Sequence, residues 1–224
     1  FNQKIIKDFV SSLPYELTGA QKIALWEILK DLEKPYPMNR LLNGDVGSGK
    51  TVVAAAAALE VSKAGFQTAI MAPTEVLANQ HFNTLSNVLK GFNLKIGLIT
   101  SSGIKGEGLA GDVVIGTHSL IQKGVVFKNL ALTVIDEQHR FGVGQRAALL
   151  RNDFTPHLLS MTATPIPRTL ALTVYGDLDI SILNELPKGW IPIETKLIPP
   201  DEREKAYKFI RKQVKEGRQV FVIC

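Results

Sequence analysis

A chain of 224 residues, 45% of them hydrophobic, is long enough for one large domain, or one and a half, with a substantial core. Its net charge of +5 suits a nucleic-acid partner without establishing one, since many proteins are as basic. The single cysteine, Cys224, excludes an internal disulfide and a cysteine metal cluster, and no apolar run approaches the roughly 20 residues of a membrane span. A reducing, cytoplasmic setting is therefore expected.

The first 37 residues favour two helices. Apolar residues in the stretch 1–10 are typical of the end of a helix, and 13–17 reads as a connector. Thr18 and Gln21, three residues apart, fit a capping box that opens a second helix. From spacing alone, this capping role for Gln21 is favoured over a contact with a ligand. The sequence Pro35-Tyr36-Pro37 ends the helix.

From Arg40 onward, predicted strands alternate with predicted helices. The strands are short and apolar on both faces, which is typical of parallel strands covered by helices. Strands are predicted at 40–43, 68–72, 95–100, 112–116, 132–136 and 157–161, and helices at 50–64, 75–89, 118–122, 145–150 and 167–175. This alternation predicts an α/β fold with a doubly wound, mainly parallel sheet, whose ligands bind at the carboxyl ends of the strands.

The segment from Gly44 to Thr51 fits G-x-x-x-x-G-K-[ST], the phosphate-binding P-loop. It follows a predicted strand and precedes an alanine-rich helix, which is the context the motif requires. Glycines let backbone N–H groups approach phosphate oxygens, and the helix N-terminus adds partial positive charge. Lys50 is placed for the β- and γ-phosphates of ATP, and the Thr51 hydroxyl for Mg²⁺. The alternative, a glycine turn that merely precedes a helix, is less favoured in this context.

Asp136 and Glu137 stand at the end of the predicted strand 132–136. Phosphoryl transfer to water needs a carboxylate that holds the metal and a group that positions the water. Asp136 suits the metal, through coordinated waters, and Glu137 suits the attacking water. Two solvated acids in a turn are the alternative, which the upstream P-loop disfavours. His139, taken alone, fits a surface histidine or a hydrogen-bonded core histidine better than a catalytic group.

Together, Asp136-Glu137-Gln138-His139 resembles the DExH box of superfamily 2 helicases, whose ATP-binding lobe is RecA-like. The resemblance continues along almost the whole chain in the family's order. Segments similar to the Q-motif and to motifs I, Ia, Ib and III are 18–21, 44–51, 72–75 with Gln80, 115–118 and 160–165. In this resemblance Gln21 is a contact to adenine.

Within that superfamily, the closer resemblance is to the RecG family. The stretches that carry it are 39–51, 135–143, 162–168 and 175–179. The Mfd family of double-stranded DNA translocases is the alternative. It would more usually show a second glutamate in place of Gln138 and a bulky residue in place of Ser48, so the RecG family is preferred.

The RecG resemblance implies a monomeric, ATP- and Mg²⁺-dependent motor that remodels stalled forks and Holliday junctions. It implies four catalytic residues, Lys50, Asp136, Glu137 and His139. The nucleotide would be bound by Gln21, Gly44, Val46, Gly47, Ser48, Gly49, Lys50 and Thr51, with Thr51 and Asp136 at the metal. DNA would be bound by Pro73, Thr74, Gly116, Thr117 and His118. Nucleotide state would be coupled to DNA grip by Thr162, Ala163 and Thr164, together with His139.

The expected domains are an ATP-binding lobe at 1–185, a linker at 186–192 and the start of a second lobe at 193–224. In the second lobe, strands are predicted at 193–198 and 219–223 and a helix at 201–215. Because the sequence stops inside the last of these strands, we expect a piece of a longer protein. The family's wedge domain and arginine finger would then lie outside it, so the lone chain should bind nucleotide but hydrolyse it poorly. The segment 100–111 is shorter than the resemblance leads one to expect.

Two rival functions remain open on the sequence. A small-molecule kinase would share the P-loop, but nothing indicates an acceptor pocket or a lid. A DNA-binding module switched by nucleotide without turnover would not need Lys50 and Glu137 together. Loss of ATP hydrolysis with retained ATP binding in Glu137→Gln would separate a motor from such a switch.

Overall fold

A computed structural model describes residues 1–122, 124–137, 155–164, 178–186 and 193–223. The chain divides into two compact units, Phe1–Lys188 and Gly189–Cys224. The predicted helices 145–150 and 167–175 lie outside the described residues, as does most of the predicted linker. Among the described residues, no helix has the length and apolar character needed to cross a membrane.

The first unit is built on one eight-stranded sheet with the order β4-β3-β5-β2-β6-β7-β1-β8. The strands are β1 (Asn39–Gly44), β2 (Gln67–Met71), β3 (Ile96–Thr100), β4 (Gly103–Gly106), β5 (Val113–Gly116), β6 (Leu130–Asp136), β7 (His157–Thr162) and β8 (Asp179–Leu183). All neighbouring pairs are parallel except β3 with β4. The predicted fold class, a doubly wound and mainly parallel α/β sheet, is confirmed.

Four α-helices belong to this unit within the described residues. They are α1 (Gln3–Ser12), α2 (Gly19–Leu32), α3 (Lys50–Lys63) and α4 (Glu75–Val88). Shorter 3₁₀ turns lie at Lys90–Phe92, Gly108–Ala110 and His118–Ile121. The last of these corrects the helix predicted at 118–122, which is too short to complete α-helical hydrogen bonding. The capping box predicted for α2 is confirmed.

Helix α3 is the centre of the larger hydrophobic core. Its alanines 54–58 are at most 2% exposed, and they pack with residues of α1, α2, α4 and one face of the sheet. Small side chains let the backbone of α3 approach these neighbours closely. The helix that follows the P-loop is therefore held on several sides.

Arg40 is a buried cation that fixes α2 to the sheet. Its Nε donates to Asp31 Oδ2 at 2.6 Å, and its guanidinium also donates to Ser181 Oγ on β8 at 2.9 Å. Burial alone would raise the pKa of Asp31, but hydrogen bonds from Lys34 and Arg40 hold it below its usual value. Buried charges are tolerated when they are paired in this way.

His157 begins β7 at the end of the sheet opposite the P-loop. The Met38 N–H donates to its Nδ1 at 2.9 Å, which requires that nitrogen to be without a proton. Burial lowers the pKa of His157 below its ordinary value of 6.5, and the charge of Asp31 offsets part of that shift. The folded chain therefore favours the neutral imidazole.

The lowered pKa of His157 makes the stability of the folded chain depend on pH. Because the unfolded chain protonates His157 more readily than the folded chain, the free energy of unfolding should decrease as the pH falls below 6.5. His157→Asn keeps an acceptor near the Nδ1 position but does not titrate, so it should show a smaller decrease. Urea denaturation followed by circular dichroism between pH 8 and pH 5 measures both. An identical pH dependence in the two proteins would contradict this assignment.

The second unit contains a 3₁₀ turn at Pro200–Glu202 that leads into α5 (Arg203–Lys215). The strands predicted at 193–198 and 219–223 are wrong: both segments are irregular, and Phe221 is 89% exposed. Strand formation needs a hydrogen-bonding partner, and no described strand pairs with either segment.

Candidate nucleotide and magnesium site

The carboxyl ends of three adjacent strands bring the predicted site residues together. β7 lies between β6 and β1, with Asp136 opposite Met161 and Asn43 opposite Thr162. The P-loop, the acidic pair and the segment 162–164 therefore meet at one edge of the sheet. This is where parallel α/β sheets bind their ligands.

Glycines shape the P-loop between β1 and α3. Gly47 and Gly49 have φ angles of +84° and +87°, in the left-handed region that other residues rarely adopt. A Cβ on Gly44 would lie 2.6 Å from Ser48 Oγ, so this position is also restricted to glycine. Ser48 Oγ is buried and has no hydrogen-bond partner in the structure. Val46 is 82% exposed at the tip of the loop.

Lys50, the first residue of α3, points its ammonium group back into the loop. Its Nζ donates to the carbonyls of Gly44 at 2.6 Å and Asp45 at 3.0 Å. Burial lowers the pKa of Lys50, and the negative charges of Asp136, Glu137 and Asp45 oppose that shift. The cation therefore lies inside the cradle, close to the acidic pair that ends β6.

Gly49 and Gly65, at the two ends of α3, provide a matched pair of substitutions. Both have a left-handed φ, so alanine at either should cost about 1–2 kcal/mol in backbone strain. A Cβ on Gly49 would also lie 2.2 Å from Gln21 Nε2, whereas one on Gly65 meets nothing within 4 Å.

We therefore expect Gly49→Ala to destabilise the chain more than Gly65→Ala does, and to weaken nucleotide binding as well. Thermal denaturation and titration with ATP measure the two effects. Equal losses of stability in the two variants, with nucleotide affinity unchanged in both, would contradict the role given to Gly49.

Gln21 joins the start of α2 to the P-loop. Its Oε1 accepts from the Thr18 N–H at 2.9 Å, and its Nε2 donates to the Ser48 carbonyl at 2.7 Å. The side chain is 1% exposed. It therefore supports the loop backbone directly, while its contact with adenine stays a prediction.

Glu137 follows β6 in a left-handed conformation, with φ of +52°, which is unusual for a residue other than glycine. Its carboxylate accepts from the Ala163 N–H at 3.3 Å and lies 3.4 Å from Thr162 Oγ1. The predicted water-positioning residue thus contacts the predicted coupling segment. Its backbone conformation turns the chain directly after the strand.

The coupling segment is also joined to β1. The Thr162 and Thr164 hydroxyls are 2.8 Å apart, and Asn43 Nδ2 donates to the Thr164 carbonyl at 2.7 Å. Asn43 was not predicted as a site residue. Its position directly before Gly44 was the available signal. His139 and Pro165 lie outside the described residues.

A further residue that the sequence reasoning missed is His81 on α4. Its Nε2 lies 2.7 Å from Asp136 Oδ2, and both side chains are buried. His81 stands between Ala78 and Leu85 on the buried face of α4, so its helical spacing was the signal that could have indicated an inward-pointing histidine.

The predicted DNA-binding residues lie at the ends of two other neighbouring strands. Met71 on β2 pairs with Gly116 on β5, so the segments 73–74 and 116–118 follow adjacent strands. The Thr74 hydroxyl caps α4 by accepting from the Leu77 N–H at 3.3 Å, and Thr117 Oγ1 lies 3.3 Å from Ser119 Oγ. Both segments are thus at the carboxyl edge that carries the P-loop.

These residues fit magnesium nucleotide. The glycine cradle leaves room for phosphate oxygens where a Cβ would obstruct them, and Lys50 and the helix N-terminus supply positive charge. Among the described residues, no group of three or more His, Cys, Asp or Glu side chains is placed to hold a metal by itself. Mg²⁺ is commonly bound by one or two protein ligands plus substrate phosphates, which suits Thr51 and Asp136.

Residues 18–173 match the DEAD/DEAH box helicase family, and the chain therefore belongs to that family. More particularly, it is 48% identical over 233 residues to the ATP-dependent DNA helicase RecG of Aquifex aeolicus, covering 99% of this chain and 29% of that protein. The RecG of Synechocystis is 51% identical over 229 residues, covering 98% of this chain and 28% of that protein. The resemblance to RecG is confirmed.

Solved structures agree with these matches. A RecG bound to a three-way DNA junction superposes with a TM-score of 0.86 at 44% identity, covering 100% of this chain and 31% of that one. The UvsW helicase of bacteriophage T4 has a TM-score of 0.60 at 18% identity, covering 81% of this chain and 68% of that one, and shows the fold alone. The chain spans less than a third of the length of the RecG proteins named here.

Proposed function

We propose that this chain is the ATP-binding lobe of a RecG-type DNA helicase, an ATP-driven motor that remodels branched DNA at stalled forks and Holliday junctions. One observation carries the proposal. At a single sheet edge, the P-loop lysine lies close to an acidic pair whose glutamate contacts the segment 162–164. An ATPase that must report its nucleotide state to DNA needs such a connection.

The roles of the nucleotide-site residues follow from their chemistry. Bound Mg·ATP supplies the phosphoanhydride bond that is hydrolysed. Lys50 balances charge on the β- and γ-phosphates, while the backbone N–H groups of the P-loop orient them. Thr51 and Asp136 would hold Mg²⁺, which would neutralise charge on the phosphates. Glu137 orients the attacking water and accepts its proton.

Communication with DNA uses the residues joined to Glu137. A movement of the Glu137 carboxylate would alter its contacts with the Ala163 N–H and Thr162 Oγ1. Thr162 contacts Thr164, whose carbonyl accepts from Asn43, so the movement would be transmitted to β1. His139 belongs to the same coupling role. Pro73, Thr74, Gly116, Thr117 and His118 would line the DNA path. Contacts to backbone phosphates would make binding largely independent of sequence and sensitive to salt.

The remaining parts of the proposal concern the longer protein. It would be a monomeric, cytoplasmic enzyme acting in DNA repair and recombination. Its ATP-binding lobe would comprise residues 1–185, with a linker at 186–192 and a second lobe beginning at 193. An arginine finger from the second lobe is worth about 10³–10⁵ in rate. The lone chain should therefore bind ATP but hydrolyse it slowly and unwind no DNA.

The test is ATP hydrolysis by the longer protein with a synthetic replication fork, with linear duplex and without DNA. Strong stimulation by the fork, well above that by the duplex, is the expected result. Equal stimulation by the duplex would indicate a plain translocase of the Mfd type and contradict the RecG-type proposal. No stimulation by either DNA would contradict the motor function itself.

A further inference from the structure

His81 makes a buried contact with the carboxylate that the proposed function assigns to magnesium. It is 7% exposed, Asp136 is 9% exposed, and Nε2 and Oδ2 are 2.7 Å apart. Fifty-five positions separate the two residues in the sequence, and the contact joins α4 to the end of β6.

The direction of the hydrogen bond follows from the chemistry of the two groups. An ionised carboxylate can only accept hydrogen bonds, so His81 Nε2 must carry the hydrogen and donate it. This bond occupies Oδ2 and restricts rotation of the Asp136 carboxylate about its Cβ–Cγ bond. A bond to a charged acceptor in a buried setting is stronger than an exposed neutral one.

His81 itself is held firmly. Its neighbours on the same face of α4, Ala78 and Leu85, are 0% and 1% exposed, and the helix is capped by Thr74. The imidazole therefore projects from a packed helix rather than from a loop. A hydrogen-bond donor on such a support can fix the orientation of the group it contacts.

We propose that His81 is a positioning residue for magnesium binding, which acts by orienting the Asp136 carboxylate. The proposal rests on the proposed function, because it takes Asp136 as the metal-holding group. Partners that orient a metal-binding carboxylate typically contribute 10- to 100-fold to metal affinity or activity. A histidine that merely ties α4 to β6 would instead stabilise the fold without any particular effect on magnesium.

The test compares affinity for AMP-PNP, a non-hydrolysable ATP analogue, with excess Mg²⁺ and with EDTA, by calorimetric titration of the chain. His81→Ala should weaken binding in Mg²⁺ by about 10- to 100-fold while leaving binding in EDTA unchanged. The magnesium effect is the ratio of the affinity with Mg²⁺ to the affinity with EDTA. His81→Gln, whose amide can still donate to Asp136, should retain most of this effect. His157→Ala removes another histidine at the opposite end of the sheet and should leave the magnesium effect as in the unaltered chain.

Two outcomes would overturn the proposal. One is a magnesium effect in His81→Ala equal to that of the unaltered chain. The other is a loss of the magnesium effect in His81→Gln as large as in His81→Ala, which would show that a hydrogen bond donated to Asp136 is not what His81 contributes. If instead the unaltered chain binds AMP-PNP no better with Mg²⁺ than with EDTA, the magnesium role that the proposed function gives to Asp136 is contradicted, and the role of His81 with it.

Discussion

Glu137→Gln is expected to lower DNA-stimulated ATP turnover by about 10²–10⁴-fold, the range typical for loss of a general base. The amide cannot accept a proton from the attacking water. Nucleotide binding should persist because the phosphates and Mg²⁺ are held by other residues. The expected variant therefore binds ATP with nearly unchanged affinity but does not turn over.

The structure indicates that this variant will fold. Glutamine keeps an oxygen that can accept from the Ala163 N–H, which lies 3.3 Å from the Glu137 carboxylate. The backbone φ of +52° places the same demand on both residues. Phosphate release by the longer protein measures turnover, and titration with ATP measures binding. Glu107→Gln, at an exposed position, is the matched control and should leave both unchanged. Turnover of Glu137→Gln within a few-fold of the unaltered protein would exclude Glu137 as the water-positioning group.

Lys50→Ala is expected to lower both the rate of ATP turnover and the affinity for ATP. Removing a preorganised charged donor at a phosphate costs about 10²–10³ in rate. Affinity for ATP should fall as well, because a hydrogen bond to a charged group contributes about 1.5–3 kcal/mol. The partly buried ammonium is placed among the carbonyls of Gly44 and Asp45, inside the loop where the phosphates would lie.

Lys63→Ala at the other end of α3 is the control for Lys50→Ala. Lys63 is exposed, and its Nζ donates to the Phe92 carbonyl far from the P-loop, at 2.7 Å. That variant should keep both ATP affinity and turnover. Equal effects of the two substitutions would show that Lys50 acts on the stability of α3 and not on phosphate.

Local sequence patterns predicted much of the fold and the P-loop. The six predicted strands were found with shifts of at most two residues, and the capping box of α2 is formed by residues only three apart. β4 and β8 were not predicted. Both strands are defined by pairing with a neighbouring strand. β4, which is short and has glycine at both ends, pairs antiparallel with β3, and β8 pairs parallel with β1.

The site was predictable where its residues are contiguous and not where they meet only in space. Gly44 to Thr51 form one uninterrupted motif. In contrast, His81 and Asp136 are 55 positions apart, and Asn43 and Thr164 are 121 apart. No local pattern specifies which strand ends will be neighbours at the sheet edge. The strand predictions in the second unit were wrong for a related reason, because an apolar pattern does not by itself provide a strand to pair with.

The most direct test of the central claim, that these residues form a magnesium-nucleotide site, is titration of the 224-residue chain with AMP-PNP in the presence and absence of Mg²⁺. The predicted result is one bound nucleotide per chain, tighter with Mg²⁺ and greatly weakened in Lys50→Ala. A folded chain that binds no nucleotide, or that binds it equally well after Lys50→Ala, would contradict the claim.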